Sequence, residues 1–152
     1  MIKVALLDRD NTLIKDNGYT FRPIDLIWVK DAIEGLSLLD SMGYKLIVIT
    51  NQSGIARGYY SEEKMNAFHK FMNNDLKKKA GIIIEKFYHC PHHPNGEIER
   101  YSKSCSCRKP GDELFQKAIL DFSIETNQSI GIGNNVSEII PAFFFKSLFI
   151  NL

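Results

Sequence analysis

Val4-Ala5-Leu6-Leu7-Asp8-Arg9-Asp10-Asn11-Thr12 sets four apolar residues directly before two carboxylates spaced by one residue. A short apolar run without polar alternation suits a strand covered on both faces, as in a parallel sheet. Leu46 to Ile49, Ile130 to Ile132 and Leu148 to Ile150 have the same character. Between the first two runs, Ala32 to Met42 is apolar at helical spacing and is followed by Gly43, a usual helix stop. Ser61 is placed to cap a second helix over Glu62 to Lys79, with Met65, Phe68, Phe71, Met72 and Leu76 expected on its buried face. A further strand is expected near Ile82 to Tyr88, and a helix over Glu113 to Leu120. Strands alternating with helices predict right-handed crossovers and one layered α/β domain over 1–152. In such a domain ligands sit outside the carboxyl ends of the strands, which brings Asp8, Thr50 and Gly133 to one mouth.

Bulk properties narrow the function. At 152 residues, 44% hydrophobic and 11% aromatic, the chain can bury one ordinary core. Nineteen basic and 18 acidic residues cancel to +1, which argues against a broad footprint for nucleic acid or an anionic membrane. The start lacks the basic head and long apolar run of a signal peptide, and no run reaches membrane-span length. Phe143-Phe144-Phe145 is apolar but is broken by Lys146, and three consecutive phenylalanines cannot share one core stripe. All three cysteines lie between 90 and 107 among histidines, a pattern of metal binding in a reducing compartment, and the cytoplasm is the expected location. A monomer is expected, acting on a small molecule.

Three polar constellations follow strands or a loop. In Asp8-Arg9-Asp10 one carboxylate can attack phosphorus while the other handles the leaving-group proton, although acidic residues in this position also cap turns. Thr50-Asn51-Gln52-Ser53-Gly54 offers hydroxyl, amide and backbone donors to a phosphate, or is simply a polar strand-to-helix turn. Arg108-Lys109 can balance phosphoryl charge, or be a solvated basic pair. Residues 91–112 read as a loop too long to be ordered unaided. Cys90-x-His92 and Cys105-x-Cys107 supply two close pairs of soft or borderline ligands, enough for a closed structural zinc site; incidental buried cysteines are the alternative. The alternation in Cys90-Pro91-His92 favours His92 over His89 or His93.

In order and type these elements resemble the haloacid dehalogenase-type phosphohydrolases, whose motifs are Asp-x-Asp-Gly-Thr, a Ser or Thr after the second strand, a Lys, and an acidic Gly-Asp motif. The fuller set is similar to the D-glycero-D-manno-heptose-1,7-bisphosphate 7-phosphatase family over roughly nine-tenths of the chain. It comprises Gly18-Tyr19, Thr50 to Gly58, Cys90-Pro91-His92-His93-Pro94 and Cys105-Ser106-Cys107-Arg108-Lys109-Pro110. The histidinol-phosphate phosphatases share the Asp-x-Asp start and zinc loop. The resemblance implies a Rossmannoid three-layer sandwich around a parallel sheet, without a large cap and with a zinc-stapled loop within 89–110. It implies Asp8 as nucleophile, Asp10 as general acid and base, Thr50 as phosphate ligand and Lys109 as charge neutraliser. Asn51, Gln52, Ser53, Arg57 and Arg108 become candidate substrate contacts, and Asp8, Asp10 and position 134 candidate magnesium ligands. The implied substrate is a small phosphorylated sugar.

The chain departs from that pattern. Asn134 replaces the acidic magnesium ligand, Glu138 stands at the second acidic position, and Gly111-Asp112-Glu113 replaces His-Pro-Gly. A neutral carbonyl holds magnesium less strongly than a carboxylate, so a relative that binds a phosphosugar without turnover is the competing reading. Asn11 replaces a glycine, and Asn is the next residue to tolerate a left-handed backbone.

Overall fold

In a computed structural model, which describes residues 1–135 and the backbone of Leu148–Asn151, β1 (Val4–Leu7) is buried at every residue. Its alternate side chains serve two different cores, as the two-residue period of a strand requires. Val4 and Leu6 pack with Ile47, Ile49, Tyr88, Leu114, Phe115 and Ala118. Ala5 and Leu7 pack with Leu36, Leu46, Val48, Phe68, Met72 and Leu76. Helices α1 (Ala32–Ser41) and α2 (Glu62–Ala80) therefore cover one face and α3 (Glu113–Phe122) the other, giving the three layers expected.

The remaining strands are β2 (Lys45–Asn51), β3 (Lys86–Cys90), β4 (Ile130–Gly133) and β5 (Leu148–Asn151), all parallel, in the order β3-β2-β1-β4-β5. The chain steps outward from β1 to β3, then returns to β4 on the other edge of β1. The direction of winding reverses between β1 and β4, the position where open α/β sheets leave a crevice. Asp8 and Asn134 follow these two strands directly.

The cap read from the sequence is realised in α2, where the Ser61 hydroxyl accepts from Lys64 N at 3.2 Å; at the other end Gly81, which the sequence reading did not single out, closes the helix at φ 71°. Two expectations are corrected. The third strand starts at Lys86, not near Ile82, because the backbone N–H and C=O of Ile84 are taken by the Asn73 side chain at 2.8 and 2.9 Å and cannot join a ladder. Phe71 is 40% exposed, and His69 is buried in its stead. At about 100° per residue, Met65, Met72, Leu76 and His69 all turn to one side of Phe68 and Phe71 roughly 60° to the other. No helix among the described residues is long and apolar enough to cross a membrane. Glu138 and Phe143-Phe144-Phe145 lie outside the described residues.

Candidate active site and metal cluster

The crevice at the switch point is lined, among the described residues, by Asp8, Asp10, Asn11, Asn51, Lys109, Asn134 and Asn135. Asp8 ends β1 and is 7% exposed. Its Oδ1 accepts from Arg9 N at 2.8 Å and from Lys109 Nζ at 3.1 Å. Lys109 is 4% exposed, and its ammonium also donates to Ile49 O at 2.8 Å, so it is wedged between the nucleophile candidate and the end of β2. The altered Gly111-Asp112-Glu113 stretch is compatible with that placement. Gly111 lies so close to the carbonyls of Ser106 and Arg108 that a Cβ there would collide with backbone. Asn51 grips the Lys109 backbone from both sides, donating to its carbonyl at 3.2 Å and accepting from its N–H at 2.9 Å.

Asp10 stands over the same crevice with its two oxygens held separately. Oδ1 accepts from Arg9 at 2.9 Å, and Oδ2 accepts from Gln52 Nε2 at 3.1 Å. Burial raises the Asp10 carboxyl above the ordinary carboxylate range; the Arg9 charge opposes this, while Asp16 and Asp8 add to it. A quarter of the side chain stays exposed, which moderates the effect. A carboxyl raised in this way can carry a proton and deliver it, as a general acid must. Asn11 takes φ 60°, the left-handed conformation for which it was suited.

Gln52, read from sequence as a substrate contact, is turned inward. It is 2% exposed, donates to Asp10 and to Thr50 Oγ1 at 2.8 Å, and accepts from the buried Tyr60 hydroxyl. Burial pushes the Tyr60 phenol well up, so it remains a donor and fixes which end of the amide faces Asp10. Thr50 is 1% exposed beneath the crevice. Ser53 is half-buried in the turn that follows, where its carbonyl accepts from Arg57 N at 3.1 Å.

Arg57 and Arg108 stand outside the crevice lining. Each keeps a buried guanidinium nitrogen, Nε and Nη1 respectively, without a hydrogen-bond partner. Arg57 Nη2 lies 3.3 Å from His93 Nε2, and its guanidinium is 5.9 Å from the Tyr19 ring centre. Unpartnered guanidinium donors of this kind suit an anionic oxygen. His93, which sequence reasoning left as packing, meets Arg57; burial and the Arg108 and Arg57 charges keep its ring below the ordinary histidine pKa.

Cys90, His92, Cys105 and Cys107 converge, with their ligand atoms within 4.8 Å of one another. The thiols are free of disulfides. Cys107 lies 2.9 Å from Cys90, and Cys90 lies 3.7 Å from His92 Nδ1. Thiolates around a tetrahedral zinc at about 2.3 Å sit roughly 3.8 Å apart, so the cluster has the size of such a shell. Burial pushes the Cys90 thiol up to about 11, as expected where charge awaits a cation. The neighbouring histidines face elsewhere: His89 Nε2 lies 3.0 Å from Glu62, and His93 lies against Arg57. Cys90 is the last residue of β3, and its carbonyl accepts from Gln52 N at 2.8 Å. Cys107 immediately precedes Arg108 and Lys109, and Ala56 O accepts from Glu97 and Ile98 N at 2.8 and 2.9 Å. The cluster thus ties the long loop to the segment bearing Arg57 and to the ammonium at Asp8.

Asn134 is the remaining departure. It lines the crevice, and its buried Oδ1 has no hydrogen-bond partner. An unpartnered oxygen on a residue that shares the crevice with two carboxylates fits the hard-oxygen ligand set of magnesium, with one negative charge fewer than three carboxylates would supply.

Residues 3–143 match the family model for polynucleotide kinase 3 phosphatase. The chain is 42% identical over 138 residues to a D-glycero-alpha-D-manno-heptose-1,7-bisphosphate 7-phosphatase of Photorhabdus laumondii, covering 91% of this chain and 75% of that one. It is 39% identical over 140 residues to the beta-anomer enzyme of Haemophilus ducreyi, covering 92% and 76%. In fold it is similar to the D,D-heptose 1,7-bisphosphate phosphatase of B. bronchiseptica, solved with magnesium and phosphate. The TM-score is 0.83 at 23% identity, over 97% of this chain and 79% of that one.

Proposed function

This chain belongs to the haloacid dehalogenase-type phosphatases, among the D-glycero-D-manno-heptose-1,7-bisphosphate 7-phosphatases, and from that premise we propose that it hydrolyses the 7-phosphate of D-glycero-D-manno-heptose 1,7-bisphosphate. The observation that carries this reading is the Lys109 ammonium 3.1 Å from Asp8 in a crevice shared with Asp10 and Asn134. The Asp8 carboxylate attacks phosphorus, the bond from phosphorus to O7 breaks, and the departing O7 takes the proton carried by Asp10. Water then attacks the phosphorus of the aspartyl-phosphate, gives its proton to Asp10, and releases inorganic phosphate with Asp8 restored. Lys109 neutralises charge beside Asp8 throughout. Asp8, Asp10 and the Asn134 carbonyl would hold magnesium, which supplies charge neutralisation to the phosphoryl oxygens.

Thr50 contributes a hydroxyl at the phosphate end, Asn51 and Ser53 line the approach, and Arg57 and Arg108 take the far, anionic end of the sugar. Cys90, His92, Cys105 and Cys107 hold a structural zinc, a closed site with no position for chemistry. The near balance of 19 basic and 18 acidic residues favours a sugar phosphate over a polynucleotide. We place the reaction in the cytoplasm, by a monomer, in the supply of precursors for bacterial surface polysaccharide.

The test is magnesium-dependent phosphate release from both anomers of the heptose bisphosphate, run beside histidinol phosphate and a 3′-phosphorylated oligonucleotide. Turnover of a heptose substrate that disappears in Asp8→Asn is expected. Preference for histidinol phosphate or the oligonucleotide would replace the substrate assignment. Tight heptose bisphosphate binding with no release at high magnesium would replace the enzyme by a binding protein, the reading that Asn134 favours.

A further inference from the structure

Arg9 sits between the two carboxylates of the crevice yet is 0% exposed, a buried cation that the mechanism above does not use. Its guanidinium is distributed over three partners. Nε and Nη2 reach Asp10 Oδ1, each at 2.9 Å; Nη2 also donates to Thr20 O at 2.9 Å; and Nη1 lies 3.0 Å from His69 Nε2. Its plane lies 5.3 Å from the Phe68 ring centre, which closes the remaining side. Arginine stays protonated and has only donors, so His69 must accept at Nε2 and carry its own proton at Nδ1. The imidazole is itself immobilised, stacked on Phe87 of β3 at 4.2 Å and 11°. A ring held by α2 and β3 thus sets the guanidinium, and the guanidinium sets one oxygen of Asp10 while Gln52 sets the other.

We infer that His69 is a positioning residue: as a neutral acceptor it holds Arg9 in the fork that aims the Asp10 carboxyl at the leaving oxygen. The inference rests on the reading of Asp10 as the acid. Without an acceptor at 69, Arg9 Nη1 becomes a buried, unpaired donor, and the guanidinium must shift to satisfy it, taking Asp10 with it. Misplacement of an acid by about 1 Å costs on the order of 100-fold in rate. Asp10 also takes the water proton in the second step, so kcat falls on any substrate. The loss in kcat/KM, which covers only the steps up to departure of the leaving group, is confined to leaving groups that need the proton, such as a sugar alcohol, whereas p-nitrophenolate leaves unaided.

The experiment compares wild type, His69→Met and His69→Gln on heptose bisphosphate and on p-nitrophenyl phosphate, with circular dichroism confirming folding. Expected for His69→Met is a kcat/KM roughly 10- to 100-fold lower on the sugar phosphate and under about 3-fold lower on the aryl phosphate. His69→Gln, whose amide oxygen accepts from Arg9, should recover most of the activity. Should His69→Met fold poorly, His69→Asn, with an amide too short to reach Arg9, takes its place. Wild-type kcat/KM on the sugar phosphate without the acceptor, or equal losses of kcat/KM on both substrates with no recovery by Gln, would overturn the inference. If wild type hydrolyses neither substrate, the reading of Asp10 fails separately, and crystal structures decide the positioning. An Asp10 carboxylate within about 0.5 Å of its wild-type place in His69→Met refutes it, and a larger displacement upholds it.

Discussion

Replacing Lys109 by Met removes the cation but keeps much of the volume of the stem, so the effect reports on charge at Asp8. The ammonium is 3.1 Å from Asp8 Oδ1, with side chains 2% and 10% exposed. At an effective dielectric constant of about 20, that distance corresponds to roughly 5 kcal/mol of attraction. Part of this offsets the desolvation of both charges, so the net cost of leaving Asp8 buried and unpaired is about 3 kcal/mol. The Arg9 backbone N–H, still 2.8 Å away, is the remaining donor to Oδ1. Catalysis should suffer more than stability, because the lost charge also faces the phosphoryl group; a fall in kcat of at least about 100-fold is expected. Lys109→Arg should restore little, since the wedge between Asp8 and Ile49 O is fitted to a point charge and not to a planar fork. Urea denaturation without added magnesium, and without a chelator that would strip zinc, isolates the stability change, and magnesium-dependent phosphate release gives the rate. A Lys109→Met protein within about 0.5 kcal/mol and 3-fold of wild type would refute both the pairing and the role assigned to it.

Asn134→Asp returns a carboxylate to the crevice, and the magnesium concentration for half-maximal activity should fall about 10-fold or more; no change would mean that the unpartnered Oδ1 does not face the cation. Cys107→Ser should lose bound zinc by elemental analysis, lower the thermal midpoint by several degrees, and raise KM more than it lowers kcat, because the loop carrying Arg108 is released from the segment carrying Arg57. Retention of one zinc and wild-type KM would contradict the cluster's role. Burial, with help from the Arg9 and His89 charges, lowers His69 from 6.5 to about 2. The unfolded chain therefore binds a proton that the folded chain excludes, so this contribution to stability is complete above about pH 6.5 and is lost as pH falls, by up to about 1.4 kcal/mol per pH unit. His69→Gln should flatten that limb in urea titrations between about pH 7.5 and 5.5, and an unchanged slope would reject it.

What could be read without coordinates was whatever depends on neighbours in the chain. Val4–Leu7 announced a strand buried on both faces, Ser61 marked the start of α2, and the paired spacings of Cys90, His92, Cys105 and Cys107 named a metal shell, because each signal is local in geometry. The family resemblance likewise rested on contiguous motifs. Asp8, Asp10, Asn51, Lys109 and Asn134 did meet in one crevice, since a parallel sheet delivers strand ends to one side whatever the side chains between them. The contacts that orient these groups belong to the tertiary structure alone. Gln52 could face a substrate or Asp10, His93 could pack or meet Arg57, and either Phe71 or His69 could be the buried residue of α2. Each choice was decided by which face of α2 lies on the sheet and how far the metal loop folds back. Arg9 and His69 are 60 residues apart in sequence, and their bond exists because burying the apolar stripe of α2 leaves one histidine inside, where a buried guanidinium satisfies it.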